Sequence, residues 1–350
     1  MRAARARKAT ATRVAGGILV AKGSLRVHGR AWAEDRAYDV LAVGELNIDL
    51  ILSGLPRLPA FGTEVLADSL ARRLGGSTAN FAVFCAQLGL RVAFLTRVGA
   101  DDFGDFLLRQ LEQAGVATTH VTRDRELHTG LAVAISGPTD RAFITYVGTI
   151  NSLRAQDMPG DLLARCRHLH VGSYFLQERL QPGCRDLFRR AHRAGMTVSL
   201  DTGYDPREAW DDGIRAVLRE VDVFMPNRVE ATHIAGTHDQ AEALRVLTGW
   251  SRLVAMKLGP EGAIACEGRQ CVHVPTCGVE VADTTCCGDA FDAGLIDGLL
   301  AGRSLADCVR RGNACGALMA SVMGNEARVL TPEAVAARMR ECGSPVPTRI

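Results

Sequence analysis

The chain has 350 residues, 47% of them hydrophobic, which is enough apolar material to fill one large folded domain or two smaller ones. Its 41 Lys and Arg residues nearly balance its 39 Asp and Glu residues, so the formal net charge is only +2. This balance excludes a global electrostatic attraction to nucleic acid or to an anionic membrane, and we expect neither as a partner.

The first 37 residues differ in composition from the rest of the chain, because they are rich in Arg and Ala and contain no acidic residue before Glu34. We interpret residues 1–37 as a basic, disordered N-terminal extension, with an organellar transit peptide as the alternative. The extension lacks the continuous apolar region of a secretory signal, and no later stretch reaches the ~18 uninterrupted apolar residues of a membrane span. We therefore expect a soluble, cytoplasmic protein.

Short apolar runs and amphipathic segments alternate after the extension. YDVLAVGELNIDLIL predicts a buried first strand that ends in a loop, and a helix is predicted from Ser77, where apolar residues recur at spacings of three and four. RVAFLTRVG predicts the next strand and DDFGDFLLRQLEQAGV the next helix, and further strands are predicted in RHLHVGSYF, MTVSLD, VDVFMPN and RLVAMKLG. This alternation predicts a mostly parallel sheet covered by helices.

One segment breaks the alternation. TGLAVAISGPTDRAFITYVG contains two alternating runs around a GPTD turn, which predicts a β-hairpin outside the parallel sheet. With the proline-containing stretch after Asp49, it predicts a small β appendage formed by residues of about 50–72 and 128–148. We treat residues 38–335 as one domain that carries this appendage, and residues 336–350 as a C-terminal tail.

The eleven cysteines follow no repeating frame, which favours reduced and mostly buried thiols over a secreted disulfide scaffold. Cys266, Cys271, His273 and Cys277 are residue types that bind zinc, but their spacing lacks a C-x-x-C pair. We therefore favour alternating positions on neighbouring strands over a structural zinc site.

A turn of small residues, DTTCCGD, precedes a predicted helix and is the strongest polar motif. In an open α/β sheet, ligands bind at the carboxyl ends of the strands, so motifs that follow strands are the candidates for function. The N terminus of a helix presents unpaired N–H groups and partial positive charge, so this turn could hold an anion, with Asp289 at its edge. The alternative is that Asp289 only caps the helix.

GELNID follows the first predicted strand and places Asn47 and Asp49 two residues apart, on one side of an extended segment. With Gly75, Gly76 and Asn80, these residues offer a carboxylate, amides and backbone groups suited to a polyhydroxyl ligand. A strand-end turn followed by a helix cap is the alternative interpretation.

Two further motifs follow strands. PNRVEA places Asn227 and Glu230 one helical turn apart, which suits hydrated Mg²⁺ near phosphates, with a surface-helix pair as the alternative. KLGPEGA predicts a turn flanked by glycines, which lets the backbone approach a ligand closely, although many turns of this type bind nothing.

Taken in order over residues 38–330, these motifs resemble those of the ribokinase-like (PfkB) family of carbohydrate kinases. GGSTANFAVFCAQLG is similar to the N-terminal signature of that family, and DTTCCGDAFDAG to its C-terminal signature. VGADDFGDFLLRQLEQAGV, Thr129-Gly130, PNRVEA and KLGPEGA match its intermediate landmarks. The resemblance implies a three-layer α/β sandwich with a mostly parallel central sheet and a small β-sheet lid, and ATP-dependent phosphorylation of a sugar or sugar-like alcohol.

The resemblance also implies residue roles. Asp289 would accept the proton of the attacking hydroxyl, and the backbone N–H groups of Cys286, Cys287 and Gly288 would form an anion hole for the transferring phosphoryl group. Substrate hydroxyls would be bound by Asn47, Asp49, Gly75, Gly76 and Asn80, and Mg²⁺ and phosphate would be organised by Asn227 and Glu230. The nucleotide would be contacted by Lys257, Gly259, Gly262 and Asn313. Some members of the family bind K⁺, and Asp283 and Thr285 would be its ligands here.

The sequence departs from the family pattern at two places. Cys286-Cys287 stand where the family usually has Gly-Ala, and we expect a negative φ at Cys286 that preserves the hole. A thiol at a helix N terminus has a lowered pKa, which predicts thiol-sensitive activity. Arg228 stands where many relatives carry an acid, which weakens the inference of metal binding.

Three functions remain open: an active sugar kinase, which we favour, a kinase of nucleosides or other alcohols, and a pseudo-kinase that binds sugar or nucleotide without turnover. The sequence does not identify the substrate, because the discriminating side chains lie in the lid. We expect the hairpin of residues 132–146 to close over the substrate or to pair with its copy in a homodimer.

Overall fold

The computed structural model describes residues 36–136, 141–322 and 329–350. The predicted N-terminal extension, residues 1–37, lies almost entirely outside the described residues. The GPTD turn of the predicted hairpin, residues 137–140, also lies outside them.

Strands and helices alternate through most of the described chain, as the apolar periodicity predicts. The strands are β1 (Tyr38–Val43), β2 (Asn47–Ser53), β3 (Ser69–Gly75), β4 (Val92–Gly99), β5 (Val116–Ala117), β6 (Val121–Asp124), β7 (Gly130–Ser136), β8 (Arg141–Tyr146), β9 (Cys166–Val171), β10 (Thr197–Leu200), β11 (Val223–Phe224), β12 (Leu253–Lys257), β13 (Ala263–Glu267), β14 (Gln270–Val274) and β15 (Val346–Arg349). The helices are α1 (Ser77–Gln87), α2 (Asp102–Gln113), α3 (Gln181–Arg193), α4 (Ile214–Leu218), α5 (Arg228–Ala235), α6 (Gln240–Leu247), α7 (Cys287–Leu300), α8 (Leu305–Ala320) and α9 (Pro332–Met339).

Eleven of the described strands form the main sheet, in the order β15-β14-β13-β12-β11-β10-β9-β1-β4-β5, with β6 also paired to β4. The pairings from β12 through β11, β10, β9 and β1 to β4 and β5 are parallel. Strands β13, β14 and β15 are added antiparallel at one edge. The predicted mostly parallel sheet is therefore confirmed.

Helices cover both faces of this sheet. Alternate residues of β1 face opposite sides, so Val40 belongs to one buried cluster and Leu41 to the other. Phe84 of α1 fills the first cluster and Phe188 of α3 the second, and all four side chains are fully buried. Two cores separated by one sheet make the three-layer sandwich that the resemblance implied.

A second, four-stranded sheet has the order β3-β2-β7-β8. Strand β2 pairs antiparallel with β3 and parallel with β7, and β7 pairs antiparallel with β8. This is the small β appendage predicted beside the main sheet, and we refer to it as the lid. Because β2 follows directly from β1, the lid lies at the carboxyl edge of the parallel strands, where polar motifs were expected.

The helices differ in how their first turns are capped. At α2 and α8, the side chains of Asp101 and Ser304 accept a hydrogen bond from the first turn, as N-cap residues normally do. Helices α1 and α7 begin instead at Gly76 and Cys286, which have φ of 98° and 62° and make no side-chain cap hydrogen bond. These two helix starts therefore keep N–H groups available for other partners.

The C-terminal segment joins the main sheet. Helix α9 spans the boundary that we expected at residue 335, and β15 pairs with β14, with Val346 opposite His273. Strand β15, within residues 336–350, thus extends the main sheet.

Four of the eleven cysteines form disulfides, so the expectation of reduced thiols is wrong for these four. Cys266 and Cys271 are direct cross-strand partners on β13 and β14 and are bonded to each other. Cys277 is bonded to Cys342, 65 residues later in the chain, a pairing that no local pattern could indicate. Cys85, Cys166, Cys184, Cys286, Cys287, Cys308 and Cys315 are free thiols.

None of the described helices combines the length and the apolar character required to cross a membrane.

Candidate active site

The N termini of α1 and α7 meet at Asp289. Its Oδ1 accepts a hydrogen bond of 2.6 Å from the Ser77 hydroxyl, and its Oδ2 accepts one of 3.0 Å from Asn80 Nδ2. The GGSTAN and DTTCCGD motifs, about 210 residues apart, therefore converge on one carboxylate. Ser77 was not among the predicted site residues, although it is the first residue of α1 and adjoins the glycine pair.

Asp289 is poised to exchange a proton near neutral pH. The pKa of its carboxyl group is raised to about 7, mainly by burial and also by the nearby charge of Asp201, while the Ser77 hydrogen bond and the Lys257 charge act in the opposite direction. A general base works best when its pKa lies near the working pH. The predicted base thus has chemistry suited to that role.

The turn before α7 differs from our expectation at Cys286. Its φ is 62°, in the left-handed region, so the expected negative φ is wrong. The turn is closed by a 3.4 Å hydrogen bond from the Cys287 N–H to the Thr284 carbonyl, and Cys286 at its corner takes a conformation that glycine adopts freely. A side chain in this conformation costs about 1–2 kcal/mol. Helix α7 still starts at Cys287, so the Gly288 and Asp289 amides lie in its first turn.

The two adjacent thiols are poor nucleophiles in this setting. Burial raises the pKa of Cys286 well above its usual value, and the charges of Asp289 and Asp49 raise it further. Burial together with Asp283 and Asp289 raises the pKa of Cys287 to about 11. The expectation of a lowered thiol pKa is therefore wrong, because burial and the surrounding carboxylates outweigh the partial positive charge of the helix N terminus.

The predicted polyol-binding residues lie on the lid side of Asp289. Asn47 and Gly75 are cross-strand partners on β2 and β3, and Asn47 Nδ2 donates a 2.8 Å hydrogen bond to Asp49 Oδ1. A Cβ atom on Gly75 would collide with the Asp49 carboxylate and force it to move, and Gly76 has a φ of 98°, a conformation that favours glycine. Burial raises the pKa of Asp49 to about 6. Backbone, amide and carboxylate groups of Asn47, Asp49, Gly75 and Gly76 thus lie together.

Asn227 and Glu230 form a capping box at the start of α5. Asn227 Oδ1 accepts a 2.9 Å hydrogen bond from the Glu230 N–H, and Glu230 Oε2 accepts one of 2.8 Å from the Asn227 N–H. Glu230 is only 5% exposed, so it is no surface-helix residue. Burial and the charge of Asp201 raise its carboxyl pKa to about 7. Arg228 lies outside this group and forms an exposed ion pair of 2.7 Å with Glu261.

Lys257, at the end of β12, connects the sheet to α7. Its Nζ contacts Asp201 at the end of β10 and lies 3.2 Å from both carboxylate oxygens of Asp292. Burial alone would raise the pKa of Asp201, but the Lys257 charge lowers it to about 2. Burial raises the pKa of Asp292 well above its usual value. A Cβ atom on Gly288 would lie 3.6 Å from Nζ, so the ammonium group lies beside the first turn of α7.

Asp201 and Asp292 were missed by sequence reasoning. Asp201 follows the predicted strand MTVSLD, and Asp292 lies one helical turn after Gly288, so both had a positional signal. A buried lysine requires compensating acids, which is the physical reason why these two surround Lys257.

The predicted nucleotide-binding residues converge at the turn between β12 and β13. Gly259 and Gly262 have φ of 60° and 92°, and a Cβ atom on Gly262 would collide with the Val274 carbonyl. Asn313 of α8 donates a 2.7 Å hydrogen bond from Nδ2 to the same carbonyl. This turn is therefore held close to α8 by a contact that only glycine permits.

Asp283 and Thr285 are hydrogen-bonded to each other. Asp283 Oδ1 accepts hydrogen bonds of 2.9 Å from the Thr285 N–H and 2.7 Å from the Thr285 hydroxyl. Across the described ranges of the chain, no group of three or more His, Cys, Asp or Glu side chains is arranged to hold a metal ion.

Comparisons with known proteins agree with this arrangement of motifs. The family model of the pfkB family carbohydrate kinases matches residues 37–331. The 2-dehydro-3-deoxygluconokinase of Bacillus subtilis is 30% identical over 283 residues, which cover 77% of this chain and 87% of that protein. The cytidine kinase of Thermococcus kodakarensis is 26% identical over 283 residues, covering 78% of this chain and 93% of that protein.

The structure of Arabidopsis thaliana ribokinase complexed with ribose and ATP has the same fold, with a TM-score of 0.76 at 23% identity. The match covers 87% of this chain and 99% of the ribokinase chain. The chain therefore belongs to the PfkB family of carbohydrate kinases and is a phosphotransferase with an alcohol group as acceptor.

Proposed function

We propose that this kinase transfers the γ-phosphate of ATP to a hydroxyl group of a sugar or sugar-like substrate, with Asp289 as the base. The observation that carries the proposal is the carboxylate of Asp289, held by Ser77 and Asn80 beside the first turn of α7, with a pKa of about 7. Two hydrogen bonds fix its orientation, and its pKa allows it to take a proton at neutral pH.

The substrate hydroxyls would be bound from the lid side by Asn47, Asp49 and Asn80 and by the backbone at Gly75 and Gly76. Binding that holds the reacting hydroxyl against Asp289 would align its oxygen in line with the γ-phosphorus of ATP, which is the main requirement of phosphoryl transfer. As the oxygen attacks phosphorus, its proton passes to the Asp289 carboxylate. The hydrogen bonds from Asn80 to Asp289 and from Asn47 to Asp49, together with the neighbouring glycine pair, support this assignment.

The N–H groups of Cys286 and Gly288 would stabilise the charge on the transferring phosphoryl group. The Cys287 N–H, which also closes the turn to the Thr284 carbonyl at 3.4 Å, would be shared between that carbonyl and the phosphoryl group. The Lys257 ammonium group lies beside Gly288, where it offsets the buried acids Asp201 and Asp292 near the same helix N terminus. Turn residues Gly259 and Gly262, with Asn313 behind them, would border the nucleotide.

Kinases of this family use ATP with Mg²⁺, and the buried carboxyl group of Glu230 fits such an ion, because Asp201 lies near it and both acids favour a neighbouring cation. Glu230 and Asn227 would hold the ion through water, and the ion would neutralise charge on the phosphates. We propose Asp283 and Thr285 as ligands of a K⁺ ion that orders the turn before α7.

The lid supports a further proposal, that the kinase is a homodimer joined through this sheet. Phe143, Ile144 and Tyr146 of β8 are more than half exposed, which is unusual for large apolar side chains on one strand. Light scattering of the wild-type chain and of Phe143→Lys tests this, with a dimer expected for the wild type and a monomer for the variant. A monomeric wild type at micromolar concentration would contradict the proposal.

An ATP-consumption screen tests the proposed reaction. The acceptors are D-ribose, 2-dehydro-3-deoxygluconate, D-fructose and cytidine, and the variants are Asp289→Asn and, as the matched control, Asp186→Asn on the exposed side of α3. We expect turnover with at least one acceptor, a loss of about 10²–10⁴-fold in Asp289→Asn, and no change in Asp186→Asn.

The same screen separates the alternatives. Turnover with cytidine alone would favour a nucleoside kinase. Binding of sugar or ATP without turnover would favour the pseudo-kinase, for which the left-handed Cys286 is the motivating feature. Equal turnover in the wild type and Asp289→Asn would refute the assignment of the base.

A further inference from the structure

The side chain of Cys286 stands where the family usually has glycine, and it lies between the predicted substrate-binding residues and the base. Asn80 Nδ2 donates hydrogen bonds both to Cys286 Sγ, at 3.2 Å, and to Asp289 Oδ2, at 3.0 Å. The sulfur atom is therefore within two hydrogen-bond lengths of the carboxylate that would take the proton.

The left-handed conformation of Cys286 accounts for this placement. In a helical conformation, a residue at this position would continue the helix and direct its side chain along the helix surface. With a φ of 62°, Cys286 instead turns the chain, and its Sγ meets Asn80 of α1. The thiol consequently lies between α7 and α1, on the side of Asp289 that faces the polyol-binding residues.

The chemistry of the thiol in this place is that of a small apolar group. Asp49 and Asp289 lie near enough that their charges, with burial, oppose ionisation of Cys286. A neutral thiol is a weak hydrogen-bonding group and behaves mainly as a small hydrophobe. It can fill space beside the substrate but offers little to bind a hydroxyl.

We propose that the Cys286 side chain determines acceptor specificity by limiting the substituents on the carbon that bears the reacting hydroxyl. The inference rests on the proposed function, in which Asp289 takes the proton of that hydroxyl. Sγ and Oδ2 share the donor Asn80 Nδ2, so they lie no further apart than the 3.2 Å and 3.0 Å hydrogen bonds laid end to end. The carbon of a hydroxyl that is hydrogen-bonded to Oδ2 would therefore lie near enough for its substituents to reach Sγ. An unbranched CH₂OH end fits beside the thiol, whereas a methyl group on the reacting carbon contacts it.

The expected change in acceptor discrimination follows from the size of the Cys286 side chain. One methyl or methylene group more or less in an apolar pocket changes discrimination by about 10-fold to 200-fold. Removing the thiol should therefore raise the relative kcat/KM of an acceptor with a methyl on the reacting carbon by at least about 10-fold.

Three variants separate the effect of space from the effect of backbone strain. Cys286→Gly removes the side chain and also relieves the left-handed conformation. Cys286→Ala removes only the sulfur and keeps the strain, and Cys286→Ser places a smaller oxygen atom where the sulfur stood. We expect the glycine and alanine variants to accept the branched substrate and the serine variant to show a smaller change in preference.

The experiment measures kcat/KM for each acceptor that the wild type phosphorylates and for its homologue with a methyl on the reacting carbon. For D-ribose this homologue is 6-deoxy-D-allose. A branched-to-unbranched ratio that rises about 10-fold or more in the glycine and alanine variants supports the proposal. An unchanged ratio in both variants overturns it, and so does an equal rise in the serine variant.

Calorimetric titration with the same pairs of acceptors distinguishes failure of this inference from failure of the proposed function. Without any turnover in the wild type, the proposed reaction fails, and the ratio of dissociation constants for D-ribose and 6-deoxy-D-allose then tests the role of the thiol directly. An unchanged ratio between the wild type and Cys286→Gly overturns the inference. A wild type that neither binds nor phosphorylates any of the acceptors overturns both.

Discussion

Replacing Asp289 by Asn should change the way in which stability depends on pH. The folded chain raises the pKa of Asp289 from 3.8 to about 7, so between these values the folded state holds the proton more tightly than the unfolded state. An acid of this kind lowers the free energy of unfolding as pH rises through that window. Each pKa unit is worth about 1.36 kcal/mol, which gives at most about 4 kcal/mol for the full window. Because Asp289 keeps some exposure to water, we expect the unfolding free energy of the wild type to fall by about 2 kcal/mol between pH 5 and pH 8 through this group.

The asparagine variant lacks this titration. It also offers a single acceptor oxygen to the two donors Ser77 and Asn80, which costs about 1–3 kcal/mol at every pH. The quantity to measure is therefore the difference in unfolding free energy between variant and wild type, followed as a function of pH. Relative to the wild type, the variant should gain about 2 kcal/mol of unfolding free energy as the pH rises from 5 to 8.

Urea unfolding at pH 5, 6, 7 and 8 measures this difference, and Asp186→Asn serves as the control because its side chain is 69% exposed on α3. The control should keep a constant difference from the wild type. A constant difference for Asp289→Asn as well would refute the raised pKa and, with it, the reasoning that makes Asp289 a base tuned to neutral pH.

Three further outcomes are expected. Lys257→Met leaves the buried acids Asp201 and Asp292 without their cation and should lower the free energy of unfolding by about 3–5 kcal/mol in urea titrations. A loss below about 1 kcal/mol would mean that the ion pairs are solvated. Gly75→Ala pushes a Cβ atom into Asp49 and should raise the acceptor KM by at least about 10-fold while the KM for ATP stays the same. A larger rise in the KM for ATP than in the acceptor KM would contradict the assignment to the acceptor site. Iodoacetamide at pH 7 should label Cys286 slowly by mass spectrometry, because its thiol pKa is raised, and complete labelling within minutes would contradict that pKa.

The fold was predictable because it depends on burial, which periodicity reports. The alternation of strands and helices gave the parallel sheet, and the change of pattern after Thr129 gave the lid hairpin. The apolar run YDVLAVGELNIDLIL was interpreted as one strand, yet the structure divides it into β1 in the main sheet and β2 in the lid. Hydrophobicity indicates that a strand is buried but not which sheet it joins.

The chemistry of the site was less predictable, because it depends on contacts between distant segments. The Ser77 to Asp289 hydrogen bond spans 212 residues, and Asp201 reaches Lys257 from another strand. The conformation of Cys286 could not be derived either, since a cysteine disfavours positive φ and only the closure of the turn at Thr284 requires it.

Strand β15 is the edge strand of the main sheet on the side of β14. An open sheet edge can recruit a strand from another molecule, and β15 covers the edge that β14 would otherwise expose. It carries Pro347, opposite Val272, and a proline has no N–H group to offer a neighbouring strand. Shortening the chain to the family boundary at residue 331 would remove β15 and uncover β14, and is expected to promote aggregation through that edge.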